Sequence, residues 1–174
     1  LEEKTMPGIT VPVQMFDHEL NPVKGWGTNA HAVDKSAEIA SGVTGIRAGM
    51  CLSLDTSEKW VRSAPNPAMA GFAFPNQSDF DVSSDLGNIS GGNLVCLMAA
   101  GAFELETTEF VGSGFLPNVP LTSHEAVDAD QGKLEVTTID SSDNIVGVCS
   151  AAVFQNEFKK NFLRFWPVYL PSRA

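Results

Sequence analysis

GIRAGMCLSLDTSEKWVR, residues 45–62, is the stretch that decides the fold class. Ile46, Ala48, Met50, Leu52 and Leu54 alternate there with Arg47, Gly49, Cys51, Ser53 and Asp55. Successive side chains of a strand point to opposite faces, so a period of two predicts a half-buried β-strand. Asp55-Thr56-Ser57-Glu58 follows, and such side chains hydrogen-bond their own backbone in turns. Lys59-Trp60-Val61-Arg62 resumes the alternation with Trp60 as a large apolar anchor, which completes a hairpin.

The same grammar of short strand and polar turn recurs outward from this hairpin. Residues 69–74 form a small apolar run ended by Pro75-Asn76, and Leu94-Val95-Cys96-Leu97-Met98 is continuously apolar between glycines, as in a strand buried on both faces. Phe103, Leu105 and Thr107 alternate with Glu104, Glu106 and Thr108, which predicts a strand with one solvated face. Leu134 and Val136 alternate likewise, and Asp140-Ser141-Ser142-Asp143-Asn144 turns the chain into Ile145-Val146-Gly147-Val148. The closing run from Phe162 to Leu170 reads as an aromatic strand containing Pro167. Phe154, Phe158 and Phe162 have helical i, i+4 spacing, although residues 151–161 read equally as a loop with inward aromatics. Residues 30–40 are the best helix candidate, short and weakly amphipathic.

Many short strands with regular turn signals predict an all-β, single-domain β-barrel or β-sandwich. Met6 to Val13 contains two prolines and β-branched residues, which disfavour helix and place a strand at an edge. Residues 1–20 are therefore expected to form an extended N-terminal arm or edge strand, and residues 21–174 the β-rich globular domain.

Composition narrows the partners. With 43% hydrophobic and 18% charged residues the 174-residue chain buries a sizeable core. Eleven Lys and Arg against 21 Asp and Glu give a formal net charge of −10, which repels phosphate and argues against nucleic acid and anionic membranes. Cys51, Cys96 and Cys149 have neither disulfide-framework nor zinc spacing, so they read as small core residues suited to a reducing compartment. The longest apolar run, residues 94–103, is too short to span a bilayer.

The search for chemistry returns fragments. His18 between Asp17 and Glu19, with His31 thirteen residues on, suggests a metal site, but Asp17, His18 and Glu19 would alternate faces on a strand and so fail to converge on one ion without a turn; His124 beside Glu125 reads as isolated. Asp79, Asp81, Ser83 and Asp85 match the first oxygen ligands of an EF-hand loop, but Ser84 and Ser90 stand where Gly and Glu are needed. Asp128-Ala129-Asp130-Gln131-Gly132 reads as an acidic turn. Glu104 and Glu106 share a strand face and could serve as acid and base, but on an alternating strand such a face is ordinarily solvated. With no GxSxG elbow and no phosphate loop, the expectation is a protein that is not an enzyme and has no metal or cofactor.

Two passages carry a resemblance. One is Gly45-Ile46-Arg47-Ala48-Gly49-Met50 leading through Leu54-Asp55 to Trp60-Val61. The other runs from Leu116-Pro117-Asn118-Val119-Pro120-Leu121-Thr122 through Gly132-Lys133-Leu134 and Ile145-Val146-Gly147-Val148 to Phe165-Trp166. This layout resembles the head decoration, or cement, proteins of tailed bacteriophages. The resemblance implies a β-tulip-like domain on the exterior of a virion, assembled in the host cytoplasm. Its implied partners are the major capsid protein and neighbouring copies of itself. On that reading Met6, Ile9, Val11 and Val13 and, at the other end, Phe165, Trp166, Val168 and Tyr169 are the expected contacts. For the C-terminal group the residues themselves favour completion of the protein's own sheet. The alternative function is a carbohydrate- or small-molecule-binding β-domain with Trp26 or Trp60 as a stacking platform.

Overall fold

The hairpin of residues 45–62 is present in the computed structural model, but its first strand is shorter and more deeply buried than alternation suggests. The structure describes residues 18–25, 33–63, 70–74, 93–98, 103–124, 126–139, 142–156 and 159–170. Twelve strands are formed: β1 (Leu20–Gly25), β2 (Val33–Glu38), β3 (Cys51–Leu54), β4 (Trp60–Arg62), β5 (Ala70–Phe74), β6 (Asn93–Met98), β7 (Phe103–Thr107), β8 (Pro120–Ser123), β9 (Leu134–Val136), β10 (Ile145–Cys149), β11 (Phe154–Gln155) and β12 (Asn161–Leu170). There is no helix among the described residues.

The strands build two antiparallel sheets. One has seven strands in the order β1-β7-β12-β10-β8-β9, with β11 paired to β12; the other has five in the order β2-β6-β5-β3-β4. Neither sheet closes, yet each curls back on itself at an isolated parallel bridge, Ile39 to Trp60 in the smaller and Phe110 to Leu134 in the larger. The fold is thus all-β, an open two-sheet arrangement of sandwich or barrel-like character.

Two cores explain the burial of β3. The first draws Leu20, Leu105, Leu121, Leu134, Leu163 and Phe165 from the seven-stranded sheet and Cys51 and Phe72 from the other, so it lies between the sheets. The rings of Phe72 and Phe165 meet across it at 5.1 Å. The second core, Ile46, Met50, Leu52, Trp60, Ala73, Leu94 and Cys96, occupies the opposite face of the five-stranded sheet. Both faces of β3 are therefore covered, and the expected half-buried strand is corrected to one buried on both sides. The ladder begins only at Cys51 because Gly45 and Gly49 have φ of +72° and +94°, and Met50 N donates to Arg47 O in a turn.

Residues 30–40 are also corrected. Val33–Glu38 is a strand whose six residues pair in register with β6, from Val33 opposite Met98 to Glu38 opposite Asn93. The apolar β6 needs a hydrogen-bonding neighbour on each side, and that pairing overrides a weak local helical pattern. Around Phe154 the described residues form neither the helix nor the loop but a short hairpin, and Phe158 lies outside them. Lys159 at φ +63° turns β11 back onto β12, so Phe154 pairs with Phe162 across the hairpin and their rings stack at 5.9 Å.

Prolines fall where missing donors are tolerated. Pro22 lies on the edge strand β1 at a register shift, and Pro167 faces Gly147 beside another irregularity. The expected arm or edge strand overlaps the sheet at its last residue, Leu20, which begins β1 and is buried.

Gly49 lies hard against the seven-stranded sheet. A Cβ there would lie 2.1 Å from Thr107 Oγ1 and 2.9 Å from Glu19 O, whereas a Cβ on Gly42, at φ +80°, would meet nothing within 4 Å. Left-handed backbone alone accounts for the Gly42 penalty; overpacking adds to it at Gly49. Gly49→Ala is expected to destabilise the fold by about 2–4 kcal/mol and Gly42→Ala by about 1 kcal/mol. Urea unfolding of the two variants side by side checks this, and equal losses would contradict it.

Candidate functional site

Two polar clusters stand out from the apolar framework, one at each side of β3. The first forms where the chain enters β1. His18 Nδ1 lies 2.5 Å from Glu109 Oε1, a contact between residues 91 positions apart, and both side chains are buried. Glu109 follows the end of β7, where its N–H donates to Thr107 Oγ1 at 3.0 Å and Thr108 Oγ1 lies 3.3 Å from its Oε1. Its second oxygen, Oε2, is buried with no hydrogen-bond partner. Glu19 extends the cluster outward: its N–H donates to Thr108 Oγ1, and its carboxylate takes Lys160 Nζ and Asn21 Nδ2, both at 3.0 Å. The group ties the start of β1 to the end of β7 and to the β11–β12 turn.

The second cluster lies on the β8–β9 hairpin. His124, which reads as isolated in sequence, has Nδ1 2.7 Å from Glu135 Oε2 and Nε2 3.7 Å from Asp128 Oδ2. The antiparallel register places the residue after β8 beside β9, and the turn folds Asp128 back toward it. The hydrogen bond that Glu135 accepts from the ring raises the pKa of His124 above the ordinary histidine value; burial, the next largest influence, opposes it, and the negative charges of Glu135 and Asp128 add to the rise. The acidic turn is self-satisfied: Asp128 Oδ1 accepts the N–H of Asp130 at 2.7 Å, and Asp130 Oδ1 meets Lys133 Nζ at 2.7 Å. That ion pair lowers the Asp130 pKa.

Among the described residues no group of three or more His, Cys, Asp or Glu is arranged to hold a metal ion. Glu104 is buried and Glu106 is engaged by Arg164 Nε at 3.0 Å, so the expected solvated face of β7 is corrected: it is largely covered. Arg164 in turn stacks over the Phe154 ring at 4.4 Å. All three cysteines are free and buried. Burial pushes the Cys51 thiol up to about 12, moderated by contacts with Ser63 and Ser123, and the Cys149 thiol up to about 11. Such thiols are poor nucleophiles.

The expected contact residues separate into three groups. Met6, Ile9, Val11 and Val13 lie outside the described residues, as do Asp17, Trp26, His31 and the acidic run of residues 79–90. Phe165 is fully buried in the first core, which removes it as a contact surface; the C-terminal strand completes the protein's own sheet, between β7 and β10. Trp166 and Val168 alternate with it and are half-buried, and Tyr169 belongs to the same strand.

Glu109 was not legible as a site residue by motif. The usable signal was parity: it continues the inward series Leu105, Thr107, where a carboxylate has to find a partner. No protein-family model matches this chain, and no curated protein and no solved structure matches it.

A buried charge left without its partner costs more than the loss of the pair as a whole. His18→Ala is therefore expected to cost about 3–5 kcal/mol, and His18→Leu combined with Glu109→Leu markedly less than the sum of the two single losses. A denaturant double-mutant cycle measures this; strictly additive losses would mean the two side chains are not coupled.

Proposed function

We propose that this chain is a non-enzymatic structural protein of a virion, one that binds the outside of a tailed-phage capsid and stabilises the shell. Its partners are the major capsid protein and further copies of itself, and nucleic acid and membranes are not among them. It acts on the capsid exterior after assembly in the host cytoplasm.

One observation carries this reading. Among the described residues the seven-stranded sheet ends at β1, whose ladder is with β7, and the chain enters β1 at His18, pinned to the body by Glu109. A segment arriving at an open edge is placed to add a strand to a neighbouring protein, with main-chain hydrogen bonds for affinity and alternate side chains for specificity. An acidic body with large apolar side chains at Leu116 and Ile139 is compatible with a protein partner. The ligand-binding alternative loses one of its two platforms. Trp60 is fully buried and its Nε1–H is spent on Leu94 O at 3.0 Å, so no ligand ring reaches it.

Sedimentation of native source material through a density gradient, with the chain followed by mass spectrometry, tests the proposal. Co-migration with DNA-filled particles is the expected result, and recovery only as a small soluble species would sink it. Removal of residues 1–13 leaves His18 and the sheets in place. It is expected to abolish particle binding while the circular dichroism and unfolding transition persist; retained binding would refute the arm as the contact.

A further inference from the structure

The turn between β8 and β9 does two things at once. Its backbone reaches across to the other sheet: Gly132 O accepts the Cys51 N–H at 2.7 Å, and Asp128 O accepts Arg62 Nη1 at 2.8 Å. Gly132 is suited to this, because at φ +93° a Cβ would sit 3.0 Å from Cys51 O. Its side chains meanwhile converge on His124, which closes the base of the turn through His124 N to Lys133 O at 2.7 Å. The residue that bonds Arg62 through its carbonyl, Asp128, is also the one that faces His124 Nε2 through its carboxylate.

We propose that residues 124–133 form a pH-operated clamp between the two sheets, closed while His124 is an imidazolium bridging Glu135 and Asp128 and loosened when that proton leaves. Doubly protonated, the ring offers an N–H to each carboxylate. Neutral, it keeps one N–H, which the 2.7 Å contact assigns to Glu135, and turns a lone pair toward the Asp128 carboxylate. The attraction drawing Asp128 inward is then lost, and with it a restraint on the carbonyls that hold Cys51 and Arg62.

The other charges around the ring are Asp130 and Lys133, which neutralise one another within the turn, and Arg47 and Arg62 on the opposite sheet. Arg62 does not take over the place of the imidazolium, since it bonds the Asp128 carbonyl and not its carboxylate. The sign follows from the raised pKa of the folded state. The His124 contribution is complete below the unfolded value of about 6.5 and disappears as pH rises through the higher folded value. Asp128 is half-exposed, so added salt weakens the effect.

The test is nuclear magnetic resonance of the full chain from about pH 5 to about pH 9, following the His124 ring and the Cys51 amide. The Cys51 amide is expected to titrate with the His124 midpoint, above 6.5, and to lose exchange protection through it after correction for intrinsic rates. In His124→Gln, which keeps an amide donor for Glu135, that dependence should vanish. Should that variant fail to fold, Glu135→Gln provides the same reading, because it should bring the His124 midpoint and the Cys51 transition down together. Protection of Cys51 that ignores the His124 titration, or a Cys51 transition unchanged in either variant, would overturn the clamp.

Discussion

The hydrogen bonds of Cys51 are the constraint on which the arrangement of the two sheets depends. On one side β3 pairs with β5 from Cys51 opposite Phe72 to Ser53 opposite Ala70, and just before the strand Gly49 N donates to Ala73 O while Ala73 N donates to Met50 O. On the other side β4 reaches only as far as Arg62, and Ser63 N still donates to Cys51 O. The Cys51 N–H, on a fully buried residue, is then left without a strand partner. Gly132, from the hairpin of the other sheet, supplies the carbonyl. A buried amide must be satisfied, so the seven-stranded sheet is held to the five-stranded one by backbone geometry as well as by apolar contact. Ser123 Oγ donating to Ser63 O at 2.9 Å repeats the connection one step further along.

The same short segment supports both polar clusters. Gly49 lies against Thr107 and the carbonyl of Glu19, neighbours of the His18–Glu109 pair; two residues later Cys51 lies against the turn governed by His124. A side chain at position 49 would push on the entry to β1 and on the sheet interface together. Burial of an imidazole–carboxylate pair at one side and a half-exposed one at the other gives the two clusters different character. The first is an internal fastening with an unsatisfied carboxylate oxygen, the second an electrostatic contact open to pH and salt.

This division bears on the proposed role at a capsid surface. Shell-binding by an edge strand needs a body that does not deform when the edge is loaded. His18 anchors the root of β1, while β12, at ten residues the longest strand, runs beside β7 through the middle of the sheet. The C-terminal aromatics that the sequence offers as contacts belong to that internal frame, with Phe165 against Phe72.

Fold class was legible in the chain because strand-and-turn grammar is local: Leu52 and Trp60 lie on the two strands that the alternation around the Asp55–Glu58 turn predicts. Turn chemistry was legible for the same local reason, since Asp55 Oδ1 accepts the N–H groups of Ser57 and Lys59 within its own hairpin. The cysteines, too, are the buried core residues that their apolar setting implies. What tertiary structure alone decided is long-range. Residues 33–38 became a strand because β6 needed a neighbour, and β3 lost its solvated face because a core formed on each side of it. His18 found Glu109, and His124 ceased to be isolated. Alternation records which way a side chain points, but not what the chain folds onto that face, and charge pairing between residues 91 positions apart leaves no periodic trace.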